Sequence, residues 1–439
     1  MLARSILDDL APLIDERCGL VSRLFRFRFP PGFEGQMHGF TAVLGWAGAL
    51  HPGPCRVGRK LGSLSGSGTA VDETTAQIRA LCEALERYCG VMYPTSGVLR
   101  ATPRALGEHA LDPRRLPQCS SRERERAPNA LQLREPQPDH DELWVRGYSL
   151  TQGRPLWVPL TATYMGLPLP IREHVLFPLS TGLAAGTNFR QAILSGLCEV
   201  IERDSLALFW LHQLRLPRLE VEYPPGSALH CLLRSGDAAG TETTLLDLTT
   251  DVGVPVIGAV QTCGRLAPHA IVMAACRPDA EAAALRVLEE VGSLRVALTE
   301  AADRPVSRAA FFTDVDQTPE SFGLLYAGPD GPARFRFVTH EAPIVHAFPA
   351  PVTGADPLAA IVDRLAALGM ETIAVDVTTP DVRDFGIVVV RVIVPELMPI
   401  SFTHHVRYLA HRRLYQAPYT LGYGIRTEET ITDDPIPFA

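Results

Sequence analysis

Lysine is almost absent from this sequence. Lys60 is the only lysine among the 41 basic residues, so the remainder are all arginines. A phosphate-binding P-loop requires a lysine in the pattern GxxxxGK[ST], and the residues around Lys60 do not fit that pattern. A kinase-like lysine or a Schiff-base lysine has the same single candidate. If the chain handles phosphate groups, it must therefore use arginine, main-chain amides and metal ions.

Other signals are missing as well. The longest apolar run, at 386–394, is too short to span a bilayer and contains Arg391, and the first residues do not form a secretory signal. The nine cysteines form no CxxC pairs, which argues against structural zinc and for a reducing cytoplasm. A net charge of −8 without basic clusters argues against nucleic-acid binding. The composition thus predicts a cytoplasmic globular protein that binds neither nucleic acid nor membrane.

Apolar periodicity predicts alternating helices and strands. Helices are predicted at 2–14, 73–92, 189–210 (with Asn188 as the N-cap), 281–298 and 356–369. Strands are predicted at 40–49, 143–150, 155–160, 254–262, 270–275, around 375 and at 386–394. This alternation predicts an α+β fold with α/β layers. Residues 101–140 are rich in proline and charge, so we expect mostly a solvated loop there.

The most informative pattern is an internal repeat. The segment CEALER at 82–87 recurs as CEVIER at 198–203. On a helix, positions i, i+3 and i+4 share a face, so each copy presents two carboxylates beside one guanidinium. The neighbouring residues are mostly apolar, and carboxylates in apolar surroundings are costly to bury unless they are paired or bound to metal.

A small-residue segment precedes each copy, at 65–69 and at 182–187, and we predict both as loops. Glycine lets main-chain amides approach an anion, and the helix N-terminus that follows adds a favourable dipole. Carboxylate oxygens suit Mg²⁺ and arginine suits phosphate. The pattern therefore predicts a Mg²⁺–nucleotide site without a P-loop. The alternative is an ordinary salt-bridged pattern on exposed helices.

Further segments accompany the repeat: STGLAAGT at 180–187, residues 376–379 followed by 389–397, and RRLY at 412–415. Together with the two Glu-x-x-Glu-Arg helices, these segments resemble the YcaO family, from about residue 15 onward. The resemblance implies a YcaO-type fold in which antiparallel or mixed sheets and long helices enclose a site for ATP and Mg²⁺. Residues 1–60 would form an N-terminal segment packed on a YcaO domain spanning 61–439.

The resemblance also implies an activity, because the 412–415 segment and the proline-containing end are similar to the azoline-forming cyclodehydratases. In that reaction a Cys, Ser or Thr side chain of a ribosomally made precursor peptide adds to the preceding amide carbonyl. ATP phosphorylates the resulting oxyanion, and phosphate leaves as a thiazoline or oxazoline forms. Such a site needs positioning and charge neutralisation more than a nucleophile of its own.

The residues that match the family's site follow from the same resemblance. The implied Mg²⁺ ligands are Glu83, Glu86, Glu199 and Glu202. The implied ATP contacts are Ser67, Arg87, Ala184, Gln191, Ser195, Arg203 and Arg286. Relatives often have lysine in place of Ser67, acidic or amide residues at the positions of Gln191 and Ser195, and in some cases serine in place of Ala184. For Arg286 the alternative is an exposed helix arginine.

The end of the sequence resembles the stiff Pro-x-Pro-x-Pro tail that carries a terminal carboxylate into the active site of azoline-forming enzymes. Pro435 and Pro437 match, whereas Ala439 replaces the last proline. We expect these three residues to contribute to catalysis. The alternative is an ordinary flexible end.

The resemblance finally implies partners. They are the precursor peptide, a separate leader-peptide-binding protein of the ubiquitin-activating type, a flavin-dependent azoline dehydrogenase and a second copy in a homodimer. Two alternatives stay open at this point. One is a YcaO enzyme that makes thioamides or amidines, and the other is a non-catalytic adaptor that binds peptide or nucleotide.

Overall fold

The computed structural model describes residues 2–29, 36–45, 64–301, 306–424 and 426–438. Lys60, Ala439, residues 46–49 of one predicted strand and much of the predicted N-terminal segment lie outside these ranges. The first part of the chain forms a small antiparallel sheet with helices packed against it. Its elements are α1 (Leu2–Leu10), β1 (Val21–Arg26), β2 (His38–Leu44), β3 (Ser65–Ala70) and α2 (Glu73–Val91).

The rest of the described chain alternates strands with helices. The strands are β4 (Leu99–Ala101), β5 (Glu142–Ser149), β6 (Arg154–Pro159), β7 (Leu183–Gly186), β8 (Arg218–Leu219), β9 (Thr241–Asp247), β10 (Val256–Cys263), β11 (Ala270–Cys276), β12 (Ile344–Val345), β13 (Ile373–Asp376) and β14 (Val388–Ile393). The helices are α3 (Pro103–Leu106), α4 (Ser121–Arg126), α5 (Leu160–Thr163), α6 (Phe189–His212), α7 (Ala228–Ala238), α8 (Ala280–Glu300), α9 (Arg308–Thr313), α10 (Pro319–Leu324), α11 (Arg336–Thr339), α12 (Pro357–Ala367), α13 (Pro380–Arg383) and α14 (Arg412–Thr420).

The structure has two larger sheets in addition to the small one. One has the order β11-β10-β9-β8-β12, with β12 parallel to β8. The other has the order β4-β5-β13-β14-β7, and β6 pairs with β5. Helix α6 packs on β14, β7 and β11, whereas α2 packs on β2, β3 and β7. Helix α8 packs on β10, β11 and β3, so each of the three long helices contacts strands of two different sheets. This is the predicted α+β arrangement with antiparallel and mixed sheets.

Most predicted elements are confirmed. The helices at 73–92, 189–210 and 281–298 correspond to α2, α6 and α8 within two residues at each end. The side chains of Asn188 and Asp356 accept hydrogen bonds from the amides of Gln191 and Ala359, and they cap α6 and α12 as expected. The strands predicted at 254–262 and 270–275 pair as β10 and β11.

The prediction of small-residue loops is wrong, because both segments are strands. The first is β3 and the second includes β7. A Cβ atom at Gly66 would lie 2.3 Å from the carbonyl oxygen of Ala80, and one at Gly68 would lie 2.1 Å from that of Ala76. Glycine is therefore present so that β3 can lie directly on the backbone of α2, and not because the chain turns there.

The prediction of a solvated loop at 101–140 is also wrong. The segment contains short helices, and Leu111, Leu116 and Cys119 are buried. Glu123 on α4 is 7 % exposed, and its carboxylate accepts hydrogen bonds from the amides of Arg407 and Leu409, each at 2.7 Å. The buried Glu123 carboxylate therefore fixes a segment that we predicted, from its composition, to be exposed to solvent. None of the helices in the described ranges is long and apolar enough to cross a membrane.

Candidate functional site

Strand β7 lies at the end of its sheet, between the two helices that carry the repeated motif. From α2, Glu86 Oε1 accepts a hydrogen bond from the amide of Ala185 at 2.7 Å. From α6, Glu199 Oε2 accepts one from the amide of Gly182 at 2.9 Å. One short segment thus binds a carboxylate from each helix.

The other two carboxylates of the repeat are held in the same way. Glu83 Oε2 accepts hydrogen bonds from the amide and hydroxyl of Ser67, at 2.5 and 3.2 Å. Glu202 Oε2 accepts one from the amide of Cys276 at the end of β11, at 3.1 Å. Each of the four predicted acidic residues therefore has a main-chain donor, and none is a freely solvated surface carboxylate.

Arginines lie among these acids. Arg203 Nη2 is 3.7 Å from one carboxylate oxygen of Glu199 and 3.7 Å from one of Glu202, and its buried Nε has no hydrogen-bond partner in the described structure. Arg87 Nη2 donates to Glu83 at 2.7 Å. Arg286 is only 18 % exposed, lies 2.7 Å from Glu290 and donates to the carbonyl of Thr69. The alternative of an exposed helix arginine is therefore wrong for Arg286.

Burial makes these carboxylates unusual acids. Burial is the main cause that raises the pKa of Glu86 to about 8; the hydrogen bond from the Ala185 amide opposes the rise, and the charges of Glu83 and Glu199 add to it. Burial also raises the pKa of Glu202 to about 8, although the charge of Arg203 opposes the rise. For Arg203 itself burial lowers the pKa, but Glu202 and Glu199 outweigh burial and the net shift is upward. The cluster lacks enough positive charge of its own to ionise fully near neutral pH.

The remaining predicted nucleotide contacts lie at the edge of the cluster. Gln191, Ser195, Glu199 and Glu202 follow one another at helical spacing on α6, so they share a face. Ser67, Gln191 and Ser195 are exposed, whereas Ala184 is buried on β7. Gln191 is one of the expected ATP contacts, and its amide oxygen accepts hydrogen bonds from the amide and hydroxyl of Thr187.

The proline-containing tail is ordered and buried. Pro435 and Pro437 are both buried, and the next residue of the tail, Phe438, is 1 % exposed. The hydroxyl of Tyr326 donates to the carbonyl of Pro435, and Trp210 Nε1 donates to the carbonyl of Asp434 at 3.0 Å. The tail thus packs against the end of α6, which contradicts the alternative of a flexible end for the residues up to 438.

Sequence reasoning missed the acids and the arginine that support the cluster from α8 and α2. Glu289 is 3 % exposed, pairs with Arg79 and accepts from the amide of Val71 at 3.1 Å. Glu290 lies near enough to raise the pKa of both Glu199 and Glu202. The spacing of Arg286 and Glu290, four residues apart, was the sequence pattern that could have indicated an ion pair on α8. No sequence pattern indicated the main-chain amides of β7 and β11 that donate to the glutamates.

The donor set suits a magnesium ion that completes its coordination with a ligand. Within the described ranges, no three His, Cys, Asp or Glu side chains are grouped as a complete protein-only metal site. Mg²⁺ generally takes one or two carboxylates and fills its shell with water and phosphate oxygens. Buried carboxylates with raised pKa values, beside an arginine whose Nε is unpaired, fit that partial coordination.

Comparison with known proteins agrees with this geometry. The family model described as YcaO cyclodehydratase, ATP- and Mg²⁺-binding, matches residues 67–398. An uncharacterised protein of Methanothermobacter thermautotrophicus is 32% identical over 251 residues, which is 56% of this chain and 61% of that protein. The chain thus spans less than two thirds of that relative's length.

Solved structures with the same fold include a heterocyclase in complex with substrate and cofactor. It superposes with a TM-score of 0.80 at 24% identity, over 99% of this chain and 57% of that one. YcaO from Methanopyrus kandleri, bound with AMPPCP and Mg²⁺, superposes with a TM-score of 0.63 at 22% identity, over 91% of each chain. With the family match extending over well more than half of its length, this chain belongs to the YcaO family.

Proposed function

We propose that this protein uses ATP and Mg²⁺ to convert Cys, Ser or Thr residues of a ribosomally made precursor peptide into thiazolines or oxazolines. The observation that carries the proposal is the packing of both Glu-x-x-Glu-Arg helices against β7, with all four of their carboxylates bound by main-chain amides of β3, the β7 segment and β11. The family's description as ATP- and Mg²⁺-binding cyclodehydratases supports it.

The chain's own residues would bind and orient the reactants. The ligands of the Mg²⁺ ions would be Glu83, Glu86, Glu199 and Glu202, and these ions would neutralise the charge of the phosphates. Arg203 and Arg286 would bind phosphate oxygens, because the guanidinium of Arg203 lies beside Glu199 and that of Arg286 lies beside Glu290, whose charge acts on Glu199 and Glu202. The other proposed nucleotide contacts are Ser67, Arg87, Ala184, Gln191 and Ser195.

In the proposed reaction the substrate's thiol or hydroxyl adds to the preceding amide carbonyl, and the γ-phosphoryl group passes to the resulting oxygen. The addition closes the five-membered ring, and the phosphoryl transfer leaves ADP. Loss of inorganic phosphate together with the amide N–H proton then forms the C=N bond of the azoline. The protein holds the reacting groups together and offsets negative charge.

The tail residues Pro435, Pro437 and Ala439 would help to position the substrate. In the proposed domain organisation, residues 1–60 form an N-terminal segment that packs on a domain at 61–439.

The proposed assembly includes other proteins. A separate leader-peptide-binding protein of the ubiquitin-activating type would deliver the substrate, a flavin-dependent dehydrogenase would oxidise the azolines, and the chain would act as a homodimer. The heterocyclase with the TM-score of 0.80 was solved in complex with its substrate and cofactor, which supports a substrate-binding role for this fold.

The test is reconstitution with a Cys/Ser/Thr-rich peptide encoded beside this chain, its partner protein, ATP and Mg²⁺. We expect the loss of one water mass per ring, together with ADP and phosphate. Glu202→Gln should abolish turnover, whereas Glu320→Gln, at an exposed position on α10, should leave it unchanged. An unmodified peptide under all partner combinations would contradict the proposal.

The same experiment separates the alternatives. Exchange of oxygen for sulfur, or closure of an amidine, gives a different product mass. An adaptor is favoured by one observation: Ser67, Gln191 and Ser195 supply no charge where relatives often do. An adaptor carrying Glu202→Gln should still support the activity of its partner, whereas an enzyme carrying it should not.

A further inference from the structure

The structure contains a cavity that none of the four carboxylates lines, and the residues assigned to the reaction above do not include those around it. Its volume is about 400 Å³, and it lies between α4, the segment 404–409 and the segment 428–433. The residues that matter for its chemistry are Arg122, Arg126, Phe312, His404, His405 and Arg407.

The wall of this cavity is held by buried hydrogen bonds. The Glu123 carboxylate accepts from the amides of Ser120, Arg407 and Leu409 at 2.9, 2.7 and 2.7 Å. These bonds fasten α4 to the segment 404–409, and hydrogen bonds to a charged acceptor are about twice as strong as neutral ones. The cavity is therefore a built feature and not a gap between loose loops.

Two aromatic rings, those of Phe312 and His404, form the floor of the cavity. The rings of Phe312 and His404 meet edge to face with centroids 4.9 Å apart, and the Arg308 guanidinium lies 5.6 Å from the Phe312 centroid. Burial, assisted by the charge of Arg407, lowers the pKa of His404 to about 3, so its imidazole is neutral. The Nε2 atom of His405 is buried without a hydrogen-bond partner in the described structure.

The charges at the rim argue against a phosphate ligand. Arg122 pairs with Glu429 at 2.9 Å and Arg407 pairs with Asp433 at 3.0 Å, so both guanidiniums are already partly neutralised. Four carboxylates line the cavity in all, which would repel a polyanion. A mixed rim of donors and acceptors above an aromatic floor suits a neutral peptide segment with an aromatic side chain.

A hydrogen bond links the cavity-lining segment to the segment that precedes β7. Tyr408 lies in the chain between Arg407 and Leu409, which both line the cavity, and has an unusual φ of 58°. Its hydroxyl accepts a hydrogen bond from the amide of Phe177 at 3.0 Å. Phe177 is five residues before Gly182, whose amide binds Glu199. The segment that lines the cavity is thus hydrogen-bonded to the segment that leads to the donor of Glu199.

We propose that this cavity binds an aromatic side chain of the substrate peptide, at a position flanking the residue that reacts. The aromatic side chain packs against Phe312 and His404, and the peptide main chain pairs with His405 Nε2 and the guanidinium of Arg126. The inference rests on the function proposed above, because it assigns a specificity subsite to that reaction.

The test measures binding of short fluorescein-labelled peptides to the full chain by fluorescence anisotropy. Each peptide carries one cysteine in a glycine–serine background, and phenylalanine or alanine is moved along the flanking positions. We expect phenylalanine to tighten binding at least about fivefold at one or two positions only, given the usual strength of aromatic pairs. Phe312→Ala should remove this preference, and Arg126→Ala, at an exposed position, should weaken binding of the phenylalanine peptide.

Phe25→Ala is the matched control, because Phe25 is 46 % exposed on β1 and lines no part of this cavity. It should keep the full preference. Equal binding of phenylalanine and alanine peptides, absence of peptide binding, or a preference that survives in Phe312→Ala would each overturn the proposal. Failure of the reaction itself is separate: peptide mass would stay unchanged while the phenylalanine preference persisted.

Discussion

Glu86 accepts a hydrogen bond from the amide of Ala185, a residue on the strand that precedes the other motif helix. The two copies of the motif are alike in this respect. The first glutamate of each, Glu83 or Glu199, bonds to the strand region just before its own helix, whereas the second bonds to a strand from elsewhere in the chain. The repeat in the sequence therefore corresponds to a repeat in three-dimensional contacts.

Binding of Mg²⁺ and ATP should release protons at pH 7. Burial raises the pKa of Glu86 and of Glu202 to about 8, so both carboxyls are largely protonated in the free protein at that pH. A bound cation favours the charged form and lowers both pKa values, and the protons leave. Calorimetry in two buffers with different ionisation enthalpies should detect about one to two protons released. Glu202→Gln should release fewer; binding without proton release in the wild type would contradict the prediction.

Alanine at Gly66 should destabilise the protein. The added Cβ would lie 2.3 Å from the Ala80 carbonyl oxygen and from the Ala84 amide nitrogen, and neither helix backbone atom can retreat easily. We expect a loss of about 1–3 kcal/mol in the free energy of unfolding, measured by urea denaturation. Gly264→Ala is the control, because a Cβ there meets open space and should change the unfolding free energy little.

Arg413 should be among the residues most important for stability. It is 6 % exposed and forms ion pairs of 2.8 Å with Asp204 and 2.6 Å with Asp251. Arg413→Met would leave two carboxylates without their cation, at a cost of about 3–5 kcal/mol in unfolding free energy. Urea denaturation should show a smaller loss for Arg413→Lys, which keeps the charge.

The exposed pair of Arg190 and Asp356 provides the comparison for Arg413. Arg190→Met should change the unfolding free energy by less than about 1 kcal/mol, since exposed ion pairs contribute little. Equal losses for Arg413→Met and Arg190→Met would show that burial of the Arg413 network has no special role.

The free energy of unfolding should decrease as the pH is lowered, because His404 stays neutral in the folded protein. Burial lowers its pKa to about 3 in the folded protein, whereas an unfolded histidine titrates near its ordinary value of 6.5. Between these values the unfolded chain binds a proton that the folded chain does not, so the free energy of unfolding decreases as pH falls. One such group contributes at most about 1.4 kcal/mol per pH unit. Urea denaturation at about pH 5 and about pH 7 should give a smaller difference for His404→Gln than for the wild type. His109→Gln, at an exposed position, should keep the full difference.

Helices and strands with clear periodicity were predictable from the sequence. Helix α6 has apolar residues at helical spacing and an asparagine at its start, and both features act locally. The glycines of β3 misled the prediction, because a strand that rests on a helix backbone has the same composition as a loop. The reason for these glycines lies in α2, and local patterns cannot report such a contact.

The acids of the site were predictable as residue types, but their partners were not. The repeat identified Glu83, Glu86, Glu199 and Glu202 because two copies of one spacing stand out. Their hydrogen-bond donors are main-chain amides, which every residue carries, so no sequence pattern marks them. Glu123 was hidden for a related reason: its charged neighbours suggested solvent, and the amides that it binds are far along the chain.

The interlocked hydrogen bonds of the repeat have a consequence for how the site forms. Because Glu86 takes its donor from β7 and Glu202 takes its donor from β11, neither motif helix together with the strand that precedes it contains a complete set of contacts for its own motif. The arrangement of acids therefore exists only after distant segments have docked. In a fragment that carries only one motif, we expect the second glutamate of that motif to be exposed to solvent. The ability to bind Mg²⁺ should therefore appear only when the last of these segments has docked.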